Sequence, residues 1–340
     1  MNSLFPTSID WHAPRSLVTV AVLVVLMLLP VLLSVGSNDT SDFYVKFVTR
    51  VLIYALAAIG LNLILGFGGL VSLGHAMYVM LGAYAVAIPC EHGINSGWIH
   101  LGIAVGLALL LALAIGAVSL RTSGIGFIMI TLAFAQMLYF AAVSLKQYGG
   151  DDGLTVTTRS QFGFFSIDGH LGLYYAALLC VAAALYLCWR IVLSPFGLVL
   201  RASKANSRRA VALGHPVVRF QLAAYALSAV ICAIAGVLLA NLTQFASPAY
   251  GAWTLSGELI VIVILGGLGT VFGPLVGAVL LLTLEEVLPS LVEFIAPAYK
   301  ANWMLLLGCF IFAIALSLRR GVYGSLSGGH TGRAARTTRE

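Results

Sequence analysis

Apolar segments of membrane-spanning length recur along the chain, separated by short segments that hold most of the charged residues. About 20 apolar residues in a helix cross the roughly 30 Å hydrocarbon core of a bilayer. One such segment begins after Arg15 and runs to about residue 36. Nine more are predicted at about 47–67, 70–89, 98–120, 124–145, 171–189, 220–242, 254–269, 271–289 and 302–318. The pattern predicts an all-α, polytopic transmembrane helical bundle of about ten spans.

The first apolar segment has two interpretations. Its basic start, its apolar core and the small residues Ser34 and Gly36 resemble a secretory signal peptide. However, the apolar run is long for the core of a signal peptide. We therefore favour an uncleaved first span.

Composition supports the membrane interpretation and changes the meaning of the charge. The 340 residues are 61% hydrophobic and only 9% charged, whereas soluble domains contain about 25% charged residues. The net charge of +6 is expected for a membrane protein, which collects lysine and arginine at the cytoplasmic ends of its spans. No nucleic-acid partner is predicted. The five cysteines occur singly, without metal-ligand spacing, so we expect no metal and no cofactor.

Basic residues between the spans indicate which side faces the cytoplasm. The segment 190–219 holds six basic residues and no acid, and the tail 319–340, which we expect to be disordered, holds five arginines and one glutamate. Both segments are predicted to be cytoplasmic, which places both termini inside. Lys46 and Arg50 are the two exceptions, because they lie near an outer end. The outer loops are those that carry acidic residues, at 37–46, 90–97 and 146–169.

A weak internal repeat divides the chain into two related halves. The motif "ILGFGGLV" at 64–71 aligns with "ILGGLGTV" at 264–271 at an offset of 200 residues. Paired glycine-interrupted apolar segments are typical of transport sites built from broken helices, although glycines also permit close helix packing. The glycines predicted to break helices are Gly66, Gly68, Gly69, Gly74, Gly266, Gly267, Gly269 and Gly273.

Residues that enzymes use are scarce in this sequence. The acids in or near apolar segments are Glu258, Glu285 and Glu286, and His75 is the one histidine clearly within a predicted span. An active site needs a converging nucleophile, acid and base, and no HExxH, GxSxG or Walker A motif is present. We expect no catalytic residues. Without Walker A, the energy for transport would come from a partner chain or an ion gradient.

A few polar side chains at membrane depth are candidates for a substrate path, because such groups normally face the interior of a helix bundle. The alternative for each is helix packing through hydrogen bonds, and for Glu258 it is a charge at a helix N-terminus. The candidates are Asn62, Ser72, His75, Gln136 and Glu258.

The segment 194–216 predicts a short amphipathic helix on the cytoplasmic side. Gly214 and the following Pro216 form a helix stop signal. Such a helix would dock in a groove of a soluble partner. The alternative is a solvated basic loop that only sets the topology.

Five stretches resemble one known family. They resemble the bacterial branched-chain amino acid ABC transporter permeases, most closely the LivM type, and they follow the order of that family. The stretches are "GLVSLGHA" (69–76), "LRTSGIGFIMITLAFAQM" (120–137), "GGDDGLT" (149–155), "RASKANSRRAVALGHPVVRFQLAAYALSAVICAIAGVLLA" (201–240) and "LIVIVILGGLGTVFGPLVGA" (259–278).

The resemblance implies that the whole chain, 1–340, is one permease domain of an inner-membrane importer. It would move branched-chain or related amino acids inward by alternating access. Its partners would be a homologous second permease, two ATP-binding cassette subunits that hydrolyse ATP, and a periplasmic solute-binding protein. The segment 194–216 would be the coupling loop, and its family-pattern residues are Arg201, Asn206, Leu213 and Gly214.

One departure and two alternatives accompany the resemblance. Ala205 and Ser207 stand where the family often has acids, and Arg208 and Arg209 follow, which predicts a co-adapted ATPase. Permeases for urea and short-chain amides share the same motifs, so the substrate stays open. An ion-coupled secondary transporter is the other alternative, with Glu258 as its ion-coupling carboxylate.

Overall fold

In a computed structural model, residues 38–163, 169–295, 302–317 and 321–323 are described, and most of them are helical. The predicted first span and nearly all of the 319–340 tail lie outside these residues. The helices are α1 (Asn38–Asn62) with a π-helical turn (Leu63–Phe67), α2 (Ala76–Glu91), α3 (Gly97–Ser119), α4 (Ile125–Ser144), α5 (His170–Leu193), α6 (Pro195–Ala212), α7 (Val217–Thr243), α8 (Trp253–Gly266), α9 (Gly273–Ile295) and α10 (Trp303–Ser317).

Six helices in the described residues are long and apolar enough to cross a membrane. They are α1 with its π-helical turn, α3, α4, α5, α7 and α9. The helices α2, α8 and α10 are apolar but shorter. Each predicted span from residue 47 onward overlaps one of these nine helices. The prediction of an all-α polytopic fold is confirmed.

Small residues determine which face of α3 packs inward. Ala104, Ala108 and Ala112 recur every fourth residue and are fully buried, whereas Leu110 and Leu113 on the opposite face are exposed. Lipid chains are as apolar as leucine, so helices in a bilayer associate through close packing of small side chains rather than through hydrophobicity. The alanine stripe therefore contacts the bundle, and the leucines face lipid.

Two helices form the centre of the bundle. In α1 and α7, 83% and 72% of the apolar stretch is buried, against 22–33% for the other four long helices. α7 contacts α2 through glycine, because a Cβ on Gly236 would meet the Val79 backbone and a Cβ on Gly82 would meet the Ala233 backbone. The two helices thus touch backbone to backbone.

The two ends of the bundle differ in structure. At one end, β1 (Leu154–Thr155) pairs with β2 (Phe245–Ala246) in an antiparallel ribbon, and we call this the ribbon end. Arg159 Nε donates a hydrogen bond to Asn241 O (3.2 Å) at the same end. α6 lies at the opposite end of α7, which we call the basic end because α6 carries four basic residues.

Candidate functional site

The helix that carries the "ILGFGG" motif ends within the motif. After the π-helical turn, Gly69 adopts a positive φ of 71°, and the Leu70 amide closes the turn by donating to Ile64 O (3.0 Å). The backbone is then non-helical until α2 begins at Ala76. We call residues 68–75 the first break.

A second interruption lies between α8 and α9. α8 ends at Gly266, and Gly267 and Gly269 both have positive φ values, of 122° and 75°. Thr270 Oγ1 donates to Gly267 O (2.8 Å), which closes the turn. α9 begins at Gly273. We call residues 267–272 the second break.

The two breaks correct the boundaries of three predicted spans. The spans expected at 70–89, 254–269 and 271–289 each include residues that are not helical, because α2 begins at Ala76 and residues 267–272 lie between helices. Hydropathy alone misses such breaks, since leucine, valine and glycine stay apolar whether or not the backbone is helical.

Asn62 joins the last turn of α1 to the second break. Its side-chain Nδ2 donates to Thr270 O (2.8 Å), and its Oδ1 accepts from the Gly269 amide (3.2 Å). Gly66 also contacts the Gly269 amide, so a side chain at residue 66 would collide there. The segments that align in sequence therefore meet in space, and the buried amide of Asn62 uses both its donor and its acceptor for this contact.

Lys204 connects α6 to the first break. Its Nζ donates to Gly66 O (2.6 Å), a carbonyl in the π-helical turn. The lysine stem lies against Gly69, so that a Cβ at residue 69 would come within 2.8 Å of Lys204 Cγ. A charged donor on the amphipathic helix thus contacts the point where α1 loses its helical backbone.

Ser72 and His75 meet inside the first break. Ser72 Oγ lies 2.9 Å from His75 Nδ1, and both side chains are fully buried. Ser256 Oγ on α8 accepts from the Ala76 amide (3.0 Å) and so satisfies the first turn of α2. His75 Nε2 has no hydrogen-bond partner in the described residues.

Two tyrosines surround the imidazole of His75. The ring centroids of Tyr78 and Tyr225 lie 5.7 and 5.4 Å from that of His75, in edge-to-face geometry. The Tyr78 hydroxyl donates to the Tyr225 hydroxyl (3.1 Å). Such aromatic contacts stabilise helix packing. His75 therefore contacts α7 through Tyr225, and nothing in the sequence pattern indicated this partner.

Gln136 has no hydrogen bond to the other candidates in the described residues. It is on α4, and its buried Nε2 has no hydrogen-bond partner in the described part of the chain. The same helix touches the first break through Gly74, where a Cβ would come within 2.7 Å of Thr131 O. Gly68 occupies the helical C-cap of the π-helical turn.

α6 is divided into two parts at Asn206. Ser194 caps the first part, where its Oγ accepts from the Gly197 amide (3.4 Å). Asn206 has extended backbone angles (φ −160°, ψ 100°), and its Oδ1 accepts from the Arg209 amide (3.0 Å). The asparagine thus acts as an N-cap inside the segment.

The end of α6 presents apolar and basic side chains to solvent. Leu213 is 72% exposed and Val211 is 57% exposed. Gly214, with φ of 85°, follows directly and ends the helix. Arg201 instead donates to Gly197 O within α6 and to Val192 O in the last turn of α5.

Glu258 lies near two residues that the sequence did not assign to a site. It is half-buried on α8 and lies within electrostatic range of Arg50 on α1 and Glu285 on α9. Arg50 Cζ lies 5.5 Å from the centre of the Tyr54 ring. The sequence placed Arg50 near an outer end, against the rule that basic residues mark the cytoplasmic side. In the structure, Arg50 lies within electrostatic range of both Glu258 and Glu285.

Comparison with known proteins places this architecture in a family. The family model described as branched-chain amino acid transport system, permease component, matches residues 43–315. The chain belongs to this family. The matched residues of the permease include both breaks and α6.

Curated relatives agree with the family model. The permease is 27% identical over 304 residues to the high-affinity branched-chain amino acid transport system permease protein LivM of Salmonella typhimurium, covering 82% of this chain and 70% of that protein. It is 24% identical over 267 residues to the corresponding protein LivH of Escherichia coli, covering 73% and 84%. Both relatives are permeases and not enzymes, and this chain is likewise a permease and not an enzyme. No solved structure matches the permease.

Proposed function

We propose that the chain is the membrane subunit of an ABC importer that moves branched-chain or related amino acids into the cytoplasm. The supporting observation is the Lys204 hydrogen bond, which connects a basic amphipathic helix to the π-helical turn just before the first break. A helix with this contact would transmit the motion of a docked ATPase to the interrupted helices. ATP hydrolysis would occur on two separate ATP-binding cassette subunits.

The exposed end of α6 is the proposed docking surface for the ATPase. Leu213 and Val211 supply an apolar anchor, and Arg208 and Arg209 supply positive charge beside it. Amphipathic helices bind partner grooves through such apolar positions, and flanking charges select the partner. The proposal therefore includes an ATPase groove with acidic residues near its apolar floor.

The basic end would face the cytoplasm, since short basic segments stay on that side. The ribbon end would then face the periplasm and receive solute from a binding protein. With the predicted first span, the nine described apolar helices would make the ten spans that we propose, and both termini would then lie inside. This orientation agrees with the charges in 190–219 and 319–340.

Alternating access is the mechanism that we propose for the two related halves. Each half would contribute one interrupted helix to the passage, and Gly66 in the first motif contacts Gly269 in the second break. In broken-helix transporters, one repeat moves against the other around such a region. A homologous second permease would complete the passage, and the similarity to both LivM and LivH supports such a pair.

The docking surface is tested by replacing Gly214 with tryptophan. No atom lies within 4 Å of a Cβ at Gly214 or at Gly93, a glycine of similar φ (78°) at the ribbon end, so both substitutions strain only the local backbone. We expect Gly214→Trp to lose copurification of the ATPase and Gly93→Trp to keep it. Equal ATPase retention in the two variants would reject docking through this surface.

Energy supply separates the importer from an ion-coupled transporter. Uptake should require the cognate ATPase subunits and should persist in vesicles without a proton or sodium gradient. Uptake that continues without the ATPase and stops with an ionophore would favour the secondary transporter. Uptake of urea or a short-chain amide in place of amino acids would support the other substrate class.

A further inference from the structure

Three ionisable residues approach one another on adjacent helices of the membrane region. α1 packs against α8 and α9, and these helices carry Arg50, Glu258 and Glu285. Glu258 lies within electrostatic range of both Arg50 and Glu285, and Glu285 lies within electrostatic range of Arg50. One positive and two negative groups therefore share one small region.

Helix geometry places this region well inside the bilayer. With a rise of about 1.5 Å per residue, Arg50 lies about 12 Å from Asp42, where the apolar stretch of α1 begins. Glu258 lies about 8 Å from the exposed Trp253 at the start of α8. Glu285 lies about 14 Å from Phe294, the end of the apolar stretch of α9. In the orientation proposed above, all three would lie within the outer half of the membrane.

Charges at this depth require polar surroundings. Ionisable side chains within a membrane face a water-filled cavity or other protein groups, because lipid offers them no solvation. Arg50 is exposed at the surface of this chain, and Glu258 and Glu285 are half-buried. Neither carboxylate forms a hydrogen bond or an ion pair within the described residues. Because both side chains are only half-buried, a ligand can approach their oxygens.

The charge pattern matches one class of solute. An α-amino acid carries an ammonium and a carboxylate on the same carbon, so it needs an anion and a cation side by side. A guanidinium binds a carboxylate through two parallel hydrogen bonds, and carboxylates accept from an ammonium. Urea and neutral amides carry no charge that would use such a site.

We propose that Arg50, Glu258 and Glu285 form the outer binding subsite for the carboxylate and ammonium groups of a zwitterionic amino acid. The inference rests on the proposed function, which makes the ribbon end the side of solute arrival. Arg50 binds the solute carboxylate from its position beside Tyr54. Glu258 and Glu285 bind the ammonium. The subsite selects amino acids over the urea and amide class.

The test measures uptake of labelled leucine in proteoliposomes that contain the permease with its cognate partner permease, ATPases and saturating binding protein. Arg50→Gln and Glu258→Gln should each lower leucine uptake by about tenfold or more, as expected for loss of a hydrogen bond to a charged group. ATP hydrolysis stimulated by the loaded binding protein should continue. Arg50→Lys should restore part of the uptake, because it restores the charge.

Two matched variants serve as controls. Glu286→Gln removes the carboxylate next to Glu285, and Lys46→Gln removes a charge one turn before Arg50; both side chains are exposed. Both should transport leucine like the wild type. Equal leucine uptake by the Arg50→Gln and Lys46→Gln variants would overturn the inference. That result would indicate that the Arg50 side chain only extends to the lipid headgroups. Failure of the proposed function would differ, because the wild-type complex itself would show no ATP-dependent uptake.

Discussion

Replacing Lys204 with methionine removes one hydrogen bond between α6 and the π-helical turn of α1 while keeping most of the side-chain stem. Lys204 Nζ donates to Gly66 O (2.6 Å), and the stem packs on Gly69. Methionine has a similar apolar length, so the packing on Gly69 persists. The variant therefore isolates the contribution of the charged donor to coupling.

The magnitude follows from the environment of the bond. A hydrogen bond from a charged group contributes about 1.5–3 kcal/mol, and exposure of the lysine on α6 places this bond at the low end because water screens it. A loss of about 1.4 kcal/mol changes an equilibrium tenfold. We expect Lys204→Met to lower the amount of solute moved per ATP by about tenfold.

The assay compares leucine uptake with phosphate release in the same proteoliposomes. Lys204→Met should keep the ATPase bound and hydrolysing ATP while transport falls, which distinguishes it from the docking variant Gly214→Trp. Lys204→Arg keeps a charged donor and should retain more coupling than methionine. An unchanged ratio of transport to hydrolysis in Lys204→Met would refute the role given to the Gly66 contact.

Two further predictions concern stability, each with a matched control. Asn62→Leu leaves two backbone groups of the second break unpaired. The expected loss of stability is about 1–3 kcal/mol, which should lower the thermal midpoint by several degrees. Gln136→Leu is the control and should leave the midpoint unchanged, because the buried nitrogen of Gln136 has no partner in the described residues. Gly236→Leu should prevent accumulation of folded protein because a side chain collides with the Val79 backbone, whereas Gly106→Leu meets open space. Fluorescence-detected size exclusion measures both. Equal behaviour within either pair would contradict the packing described.

Hydropathy located the helices, but it could not locate their ends. The apolar stretch at 70–89 contains α2, yet α2 begins at Ala76 because the chain first passes through the first break. A break changes the backbone and not the polarity, so a polarity pattern carries no record of it. The repeat at 64–71 and 264–271 was more informative, since its two copies contact each other at Gly66 and Gly269.

The site residues depended on contacts between distant parts of the sequence. Ser72 and His75 were candidates from their depth alone, and they bond each other. Lys204 and Tyr225 could not be found in this way, because Lys204 resembled any other basic loop residue and Tyr225 any other aromatic residue of a span. Their roles come from the bonds to Gly66 and Tyr78, which link segments more than 100 residues apart.

The glycine contact between α2 and α7 limits how the permease moves. At Gly82 and Gly236 the two backbones touch without intervening side chains, so no rotamer change can absorb sliding or rotation between them. Sliding and rotation between α2 and α7 are therefore restricted at this contact. The boundary of α2 with α3 and α4 is different, since an apolar cavity of about 300 Å³ lies among these three helices. Relative motion of helices is thus easiest at that boundary.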